Sequence, residues 1–293
     1  MRVFTRGDMD GLTSLVFLTM VENVTEIAFA HPKDMQDGKI QVTEEDILTN
    51  LPYVKGCGLW FDHHISEDRK IEEIGPYRGK FAIAPSTARV IYDYYHRPEF
   101  DKFKDLLEST DRLDSAQLKM EEVEKPSGWI LLGLTLDPRT GLGPEFRKYF
   151  CWLVEYVKEA PLEKILQHPE VKKRCDRVLN EHEQFKEFLK RHSRQDGNVI
   201  VTDLRGIKEI PAGNRFLIFT LYPEANVEVR SFDGKLGNTV IAVGHSIFNR
   251  TCKVNLGNLL ARYGGGGHRG AATCQIDIEK ADTTIEEIIS HLK

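Results

Sequence analysis

Three short stretches of this 293-residue chain hold side chains whose types and spacing can do chemistry. The first is Asp8-Met9-Asp10-Gly11. Two carboxylates in a short loop at the end of an apolar strand can aim at one cation, and hard divalent ions such as Mg²⁺ or Mn²⁺ prefer such oxygen ligands. The competing reading is a helix cap whose acids complement the dipole. The second stretch is Asp62-His63-His64, directly after the apolar run Leu59-Trp60-Phe61. In a parallel sheet the carboxyl ends of strands face the ligand crevice. Three consecutive ionisable residues are costly to place there unless they bind something. A lone histidine is most often held in a core by one hydrogen bond, an explanation that fits a consecutive Asp-His-His poorly. The third stretch is Gly264-Gly265-Gly266-Gly267-His268. Its glycines allow backbone N–H groups to converge on an anion, and His268 adds a side-chain donor. The run follows a helix pattern rather than a strand, which argues against a dinucleotide-binding fingerprint.

The elements that must position these residues read as α/β. Arg2 to Thr5 is an apolar strand, and Leu12 to Val21 has the pattern of a helix. Thr25–Ala30 and Gly58–Phe61 read as further strands. Ser86 to Tyr95 is a helix with Ser86 as its cap, and Phe103 to Leu113 is another. From Phe146 to about Arg194 the pattern is helical throughout. Val171, Val178 and Phe185, with Cys175, His182 and Leu189, make one apolar stripe on a long arm. Ser193 to Asn198 is the best linker candidate. Strand signals return at Val199–Thr202, Glu228–Ser231, Thr239–Val243 and Ala271–Ile276, with helices at Asn255–Tyr263 and Ile285–Leu292.

Forty Lys and Arg against 45 Asp and Glu give a net charge of -5, which argues against coating long nucleic acid by charge alone. No apolar run is long enough for a membrane span. The five cysteines are scattered without a CxxC pair, so free thiols in a cytoplasmic setting are expected.

Together the three stretches resemble the DHH phosphoesterase family, which includes exopolyphosphatase-related and oligoribonuclease-like members. Asp8-Met9-Asp10-Gly11 is similar to its paired-aspartate motif, and Asp62-His63-His64 to the motif that names it. Gly265 through Ala272 resembles the GGGH signature of the DHH-associated domain. The resemblance implies a parallel-sheet domain over 1–193, including the helical arm, and a smaller α+β substrate-binding domain over 198–293. It implies a phosphohydrolase using Mn²⁺ or Mg²⁺ on a small phosphorylated substrate: a nucleotide, a short oligonucleotide or polyphosphate. A homodimer is allowed by the same reading. By the resemblance, Asp8, Asp10, His63 and Asp111 are the metal ligands, with Asp114 in reserve for Asp111. His64 contacts the phosphate and serves as general acid, with Asp62 setting its tautomer. Gly265, Gly266, Gly267 and His268 dock the substrate, and Arg139 and Arg250 are further substrate contacts.

The chain also departs from the family pattern. Arg6 and Phe4 stand where a metal-binding histidine is expected, and Asn50 stands for a bridging aspartate. These losses fall on the ligands of one ion of two, which implies a one-metal site. Arg6, paired with Asp8, would then be catalytic, because its permanent charge can hold a phosphoryl group. The alternative function is a non-catalytic nucleotide or phosphate sensor that kept the fold and lost the metals.

Overall fold

The computed structural model describes residues 1–64, 67, 71–136, 142–234 and 237–293. The chain forms two compact units, Met1–Gln117 with Ser127–Asp176, and Leu118–Pro126 with Arg177–Lys293.

In the first unit five short strands run parallel: β1 (Arg2–Thr5), β2 (Glu26–Phe29), β3 (Asp46–Thr49), β4 (Leu59–Asp62) and β5 (Gly79–Phe81). Their order is β2-β1-β3-β4-β5, with Val3 beside both Ile27 and Ile47, and Trp60 beside Leu48 and Gly79. A parallel sheet is covered on both faces, which is why Val3-Phe4, Ile47-Leu48 and Trp60-Phe61 are consecutive apolar pairs, all buried. Phe4, Leu48 and Trp60 pack with Met35 and Leu51. The Trp60 Nε1–H donates to the Leu51 carbonyl at 2.9 Å, so its one polar atom is satisfied inside the core. Burying each large side chain of this kind contributes about 1.5–3 kcal/mol.

The Met9–Val21 helix starts earlier than its apolar pattern suggests, because Asp8 caps it by accepting from the Gly11 amide at 2.9 Å. A Cβ at Gly11 would collide with the Arg6 carbonyl oxygen, so the tight strand-to-helix turn requires glycine. The Thr87–Tyr95 helix is capped by Ser86, whose Oγ accepts from the Arg89 amide at 3.0 Å. The Lys104–Asp114 helix packs on Met9–Val21 through Thr110, whose hydroxyl lies 2.7 Å from that of Thr13. Because all five strands share one direction, the segments following β1, β3, β4 and β5 leave the sheet at the same edge. That edge gathers Arg6 to Asp10, Asn50, His63-His64 and Ala84.

The expected continuous helical arm is three helices, Pro144–Glu159, Leu162–Gln167 and Pro169–His192. Pro161 and Pro169, which cannot donate within a helix, divide them. The last one buries Val171, Cys175, His182, Phe185 and Leu189 along the expected stripe.

In the second unit the sheet order is β10-β11-β9-β8-β7-β6. Its strands are β6 (Ser193–Asp196), β7 (Val199–Asp203), β8 (Val227–Asp233), β9 (Thr239–His245), β10 (Gly266–His268) and β11 (Ala271–Ile276). All neighbours are antiparallel except β7 and β8. Val201, Val229, Ile241 and Val243 pack against Leu256, Leu259 and Leu260 and against Ile285, Ile288 and Ile289. Ser193 to Asn198 is therefore not a linker. It is the edge strand β6 and a two-residue hairpin loop whose first residue, Gly197, has φ +63°. Among the described residues no helix is long and apolar enough to cross a membrane.

Candidate metal centre and substrate site

His63 follows β4. Its Nδ1 lies 3.0 Å from the Ala84 carbonyl, a partner that can only accept, so Nδ1 carries the proton. Nε2 is thereby aimed at two carboxylates, 3.0 Å from Asp114 Oδ2 and 3.9 Å from Asp10 Oδ2. It is buried and completes no hydrogen bond. One ligand atom from each of Asp10, His63 and Asp114 lies within 4.8 Å of the others. Asp10 is 1% exposed and is held by the first amides of the Thr87–Tyr95 helix, accepting from Thr87 N at 3.0 Å and Ala88 N at 2.8 Å. Burial raises the Asp10 carboxyl to about 7, with Asp114 adding to the shift and His63 opposing it. Burial pulls the His63 imidazole down, but Asp114 and Asp10 outweigh it and raise it to about 9. A lone pair facing two carboxylates calls for a positive charge between them, which a proton or a cation supplies. Two carboxylates and one imidazole with its second nitrogen anchored form a donor set that fits Mn²⁺ or Mg²⁺.

The structure does not bring Asp111 into this group. Its carboxylate accepts from Ser86 Oγ at 2.6 Å and from Arg89 Nη2 at 2.6 Å, which makes it an anchor between two helices. Asp114 takes the place expected for Asp111. It lies one turn after Thr110, on the face turned toward Met9–Val21, whereas Asp111 is rotated toward Arg89.

Asp8 also stands apart. Its Oδ1 accepts from the Gly11 amide at 2.9 Å and from Asn50 Nδ2 at 2.9 Å, and Arg6 Nε lies 3.2 Å from Oδ2. Burial raises the Asp8 pKa, and Arg6 opposes the shift. Asn50 reaches Asp8 from a left-handed backbone position, φ +58°, which asparagine tolerates better than most residues. Asp46, at the opposite end of β3, is held by Arg2 at 2.9 Å.

His64 Nδ1 lies 2.8 Å from Asp62 Oδ1, which fixes the ring and leaves Nε2 for other work. Burial lowers the His64 pKa, but the hydrogen bond and charge of Asp62 raise it above its ordinary value. His31 is a cap, accepting from the Lys33 amide at 3.1 Å. Arg139 lies outside the described residues.

In the second unit the Gly265 amide donates to the Leu260 carbonyl at 2.9 Å, closing the Leu256–Ala261 helix rather than facing an anion. Gly267 hugs β11 so closely that a Cβ would collide with the Ala271 carbonyl. Gly266, Gly267, His268 and Arg269 are exposed. His268 Nδ1 accepts from the Gly270 amide at 3.1 Å, so Nε2 carries the proton and can donate to an anion. Arg250 sits in the loop after β9, its Nε donating to the Ile247 carbonyl at 3.0 Å. Sequence reading missed His245 at the end of β9. Its amide donates to Gly270 O at 2.9 Å, and its buried Nε2 has no hydrogen-bond partner. Burial lowers its pKa, and Arg269 and His268 add to that. The signal available was a histidine closing an apolar strand.

No family model matches the chain, and no curated protein matches it. Among solved structures it is similar to the pGpG-specific phosphodiesterase PggH of Vibrio cholerae, with 39% identity and a TM-score of 0.88 over 99% of this chain and 98% of that one. It shares its fold with the DHH domain of a protein assigned to a family of ribosomal proteins (15% identity, TM-score 0.55, 99% and 85% of the two chains). It also shares it with RecJ of Thermus thermophilus, solved in complex with Mn²⁺ (13% identity, TM-score 0.54), of which it covers 51% while 99% of this chain is matched. Identity at the level seen with PggH, over nearly the full length of both chains, makes this protein a member of the DHH phosphoesterase family.

Proposed function

We propose that the protein hydrolyses a short linear dinucleotide of the pGpG kind to two mononucleotides, with Mn²⁺ or Mg²⁺ held by Asp10, His63 and Asp114. The observation that carries the substrate class is the 39% identity to a pGpG-specific phosphodiesterase over 99% of the chain. The buried Nε2 of His63, set between Asp114 and Asp10 without completing a hydrogen bond, supports the cation.

The ion, when bound, supplies Lewis-acid stabilisation of charge on a phosphoryl oxygen. The chain supplies the rest. Two helix amides fix Asp10, and the Ala84 carbonyl fixes His63, so the ligands need no rearrangement. Water adds to the bridging phosphorus, releasing one proton to solvent that later restores His64, and the bond from phosphorus to the 3′ oxygen breaks. His64, held at Nδ1 by Asp62, gives the proton on its Nε2 to the departing oxygen. In the second unit we assign phosphate binding to His268, whose Nε2 can donate to an anion, with the exposed Arg269 next to it in sequence. Chemistry is thus assigned to the first unit and docking to the second. Five free cysteines support a cytoplasmic setting as part of the same proposal. The proposed homodimer is read by light scattering.

Incubation with pGpG, longer oligonucleotides, a cyclic dinucleotide and polyphosphate, each with Mn²⁺ or Mg²⁺, tests the reading. The expected result is two GMP per pGpG, dependent on the ion and lost in His63→Ala. Preferred cleavage of polyphosphate would replace the substrate. Tight metal-free binding without turnover would replace the enzyme with a sensor.

A further inference from the structure

We propose that this site carries one divalent ion and that the Arg6 guanidinium supplies the second positive charge from the chain itself; the proposal rests on the metal-dependent reading above. The acidic groups at the sheet edge divide into two halves. In one, Asp10, His63 and Asp114 converge and the imidazole Nε2 is left without a hydrogen bond. In the other, every contact that Asp8 makes among the described residues is with a donor: the Gly11 amide and Asn50 Nδ2 on Oδ1, and Arg6 Nε beside Oδ2.

A dication at Asp8 would compete with those donors for the carboxylate's lone pairs. It would also meet the Arg6 charge and the Asn50 Nδ2 donor, and the one oxygen left without a hydrogen bond there, Asn50 Oδ1, is neutral. Asp8 and Arg6 cancel, so this half offers a second ion no net negative charge, whereas Asp10 and Asp114 offer the first ion two carboxylates. Arg6 spends its Nε on Asp8 and has four more N–H groups in a planar fork suited to phosphate oxygens. Its side chain is 31% exposed, so a substrate can reach it. A guanidinium cannot acidify water at neutral pH. What it contributes is stabilisation of charge as that charge develops on the phosphoryl oxygens.

The test counts ions and separates them from turnover. Wild-type protein is titrated with Mn²⁺ by calorimetry, and crystals soaked in Mn²⁺ are read by anomalous scattering. The expected result is one ion per chain, at Asp10, His63 and Asp114. Asp8→Asn, which keeps a good helix cap, retains that ion with affinity within about twofold. Arg6→His combined with Asn50→Asp exchanges the donors around Asp8 for ligands and gains a second ion. Arg6→Met keeps one ion but loses about 10²- to 10³-fold in kcat on pGpG, and Arg6→Lys recovers part of it. Two ions in the wild type, loss of the ion in Asp8→Asn, or Arg6→Met turnover within about twofold of wild type would overturn the proposal. Absence of any bound ion would remove the metal-dependent reading itself, an outcome distinct from finding two.

Discussion

Thr5, Thr49, Asn50, Asp62 and His63 sit at or just beyond the carboxyl ends of strands in the parallel sheet, and each has a buried polar atom that completes no hydrogen bond. The mixed sheet of the second unit handles its buried polar groups differently. Thr202 donates to Glu228, Glu228 accepts from Arg230, and Ser231 donates to Asp203. An unsatisfied buried group costs about 1–3 kcal/mol. Several at one sheet edge mark a place where folding stability is sacrificed to keep partners ready for a ligand. In the second unit the same signature contracts to His245 beside the glycine turn, and to Asn238. Among the described residues the first sheet leaves several buried polar groups open at one edge, while the second pairs most of its own.

The sharpest way to break this contrast lies within one helix. Asp114→Asn should abolish calorimetric Mn²⁺ binding and lower pGpG turnover about 10³-fold, the loss of several kcal/mol of charge stabilisation. Asp111→Asn should instead keep the ion and lower thermal stability by about 1–3 kcal/mol, because it weakens the acceptor for Arg89 and Ser86. The reverse pattern would restore Asp111 as the ligand. Next in size is His64→Gln, expected to reduce kcat about 10²-fold with ion binding intact. Retained turnover would assign the leaving-group proton to another donor. In the second unit His268→Ala should raise KM for pGpG about 10-fold, the value of a charge-assisted hydrogen bond, while kcat and ion stoichiometry stay close to wild type. A loss confined to kcat would move His268 from docking to chemistry.

A pH dependence confined to the first unit is also expected. In the metal-free site His63 holds its proton up to about pH 9 and Asp10 up to about 7. Metal binding must displace these protons, so Mn²⁺ affinity rises with pH from 7 to 9 by up to about tenfold per unit and then levels. Titrations in buffers of different ionisation enthalpy read the released proton directly, and an affinity flat over that range would contradict the shifted imidazole.

Much of this was legible in the chain because it is encoded locally. The Ser86 cap, the strand Ala271–Ile276 and the pairing of Arg6 with Asp8 each follow from short-range chemistry, and the structure contains all three. Choosing between Asp111 and Asp114 was not local. Both lie in the last turn of the same helix, and the rotation set by Thr110 against Thr13 decides which faces Asp10. β6 was hidden because Ser193 to Asp196 has no apolar alternation, and only its pairing with β7 makes it a strand. The glycine run concealed its own structure as well. Its signature suggested an amide nest, yet the amide of Gly265 closes a helix and the close approach to β11 dictates Gly267.

The Thr87–Tyr95 helix presents its opening amides to Asp10, while the hydroxyl that caps it grips Asp111. Sliding this rod along its axis would disturb an anchor and a proposed cation ligand in one movement. Manganese retention is therefore a gauge of how well the rod is seated. A compound wedged beneath it would empty the centre from a distance, without ever competing with nucleotide.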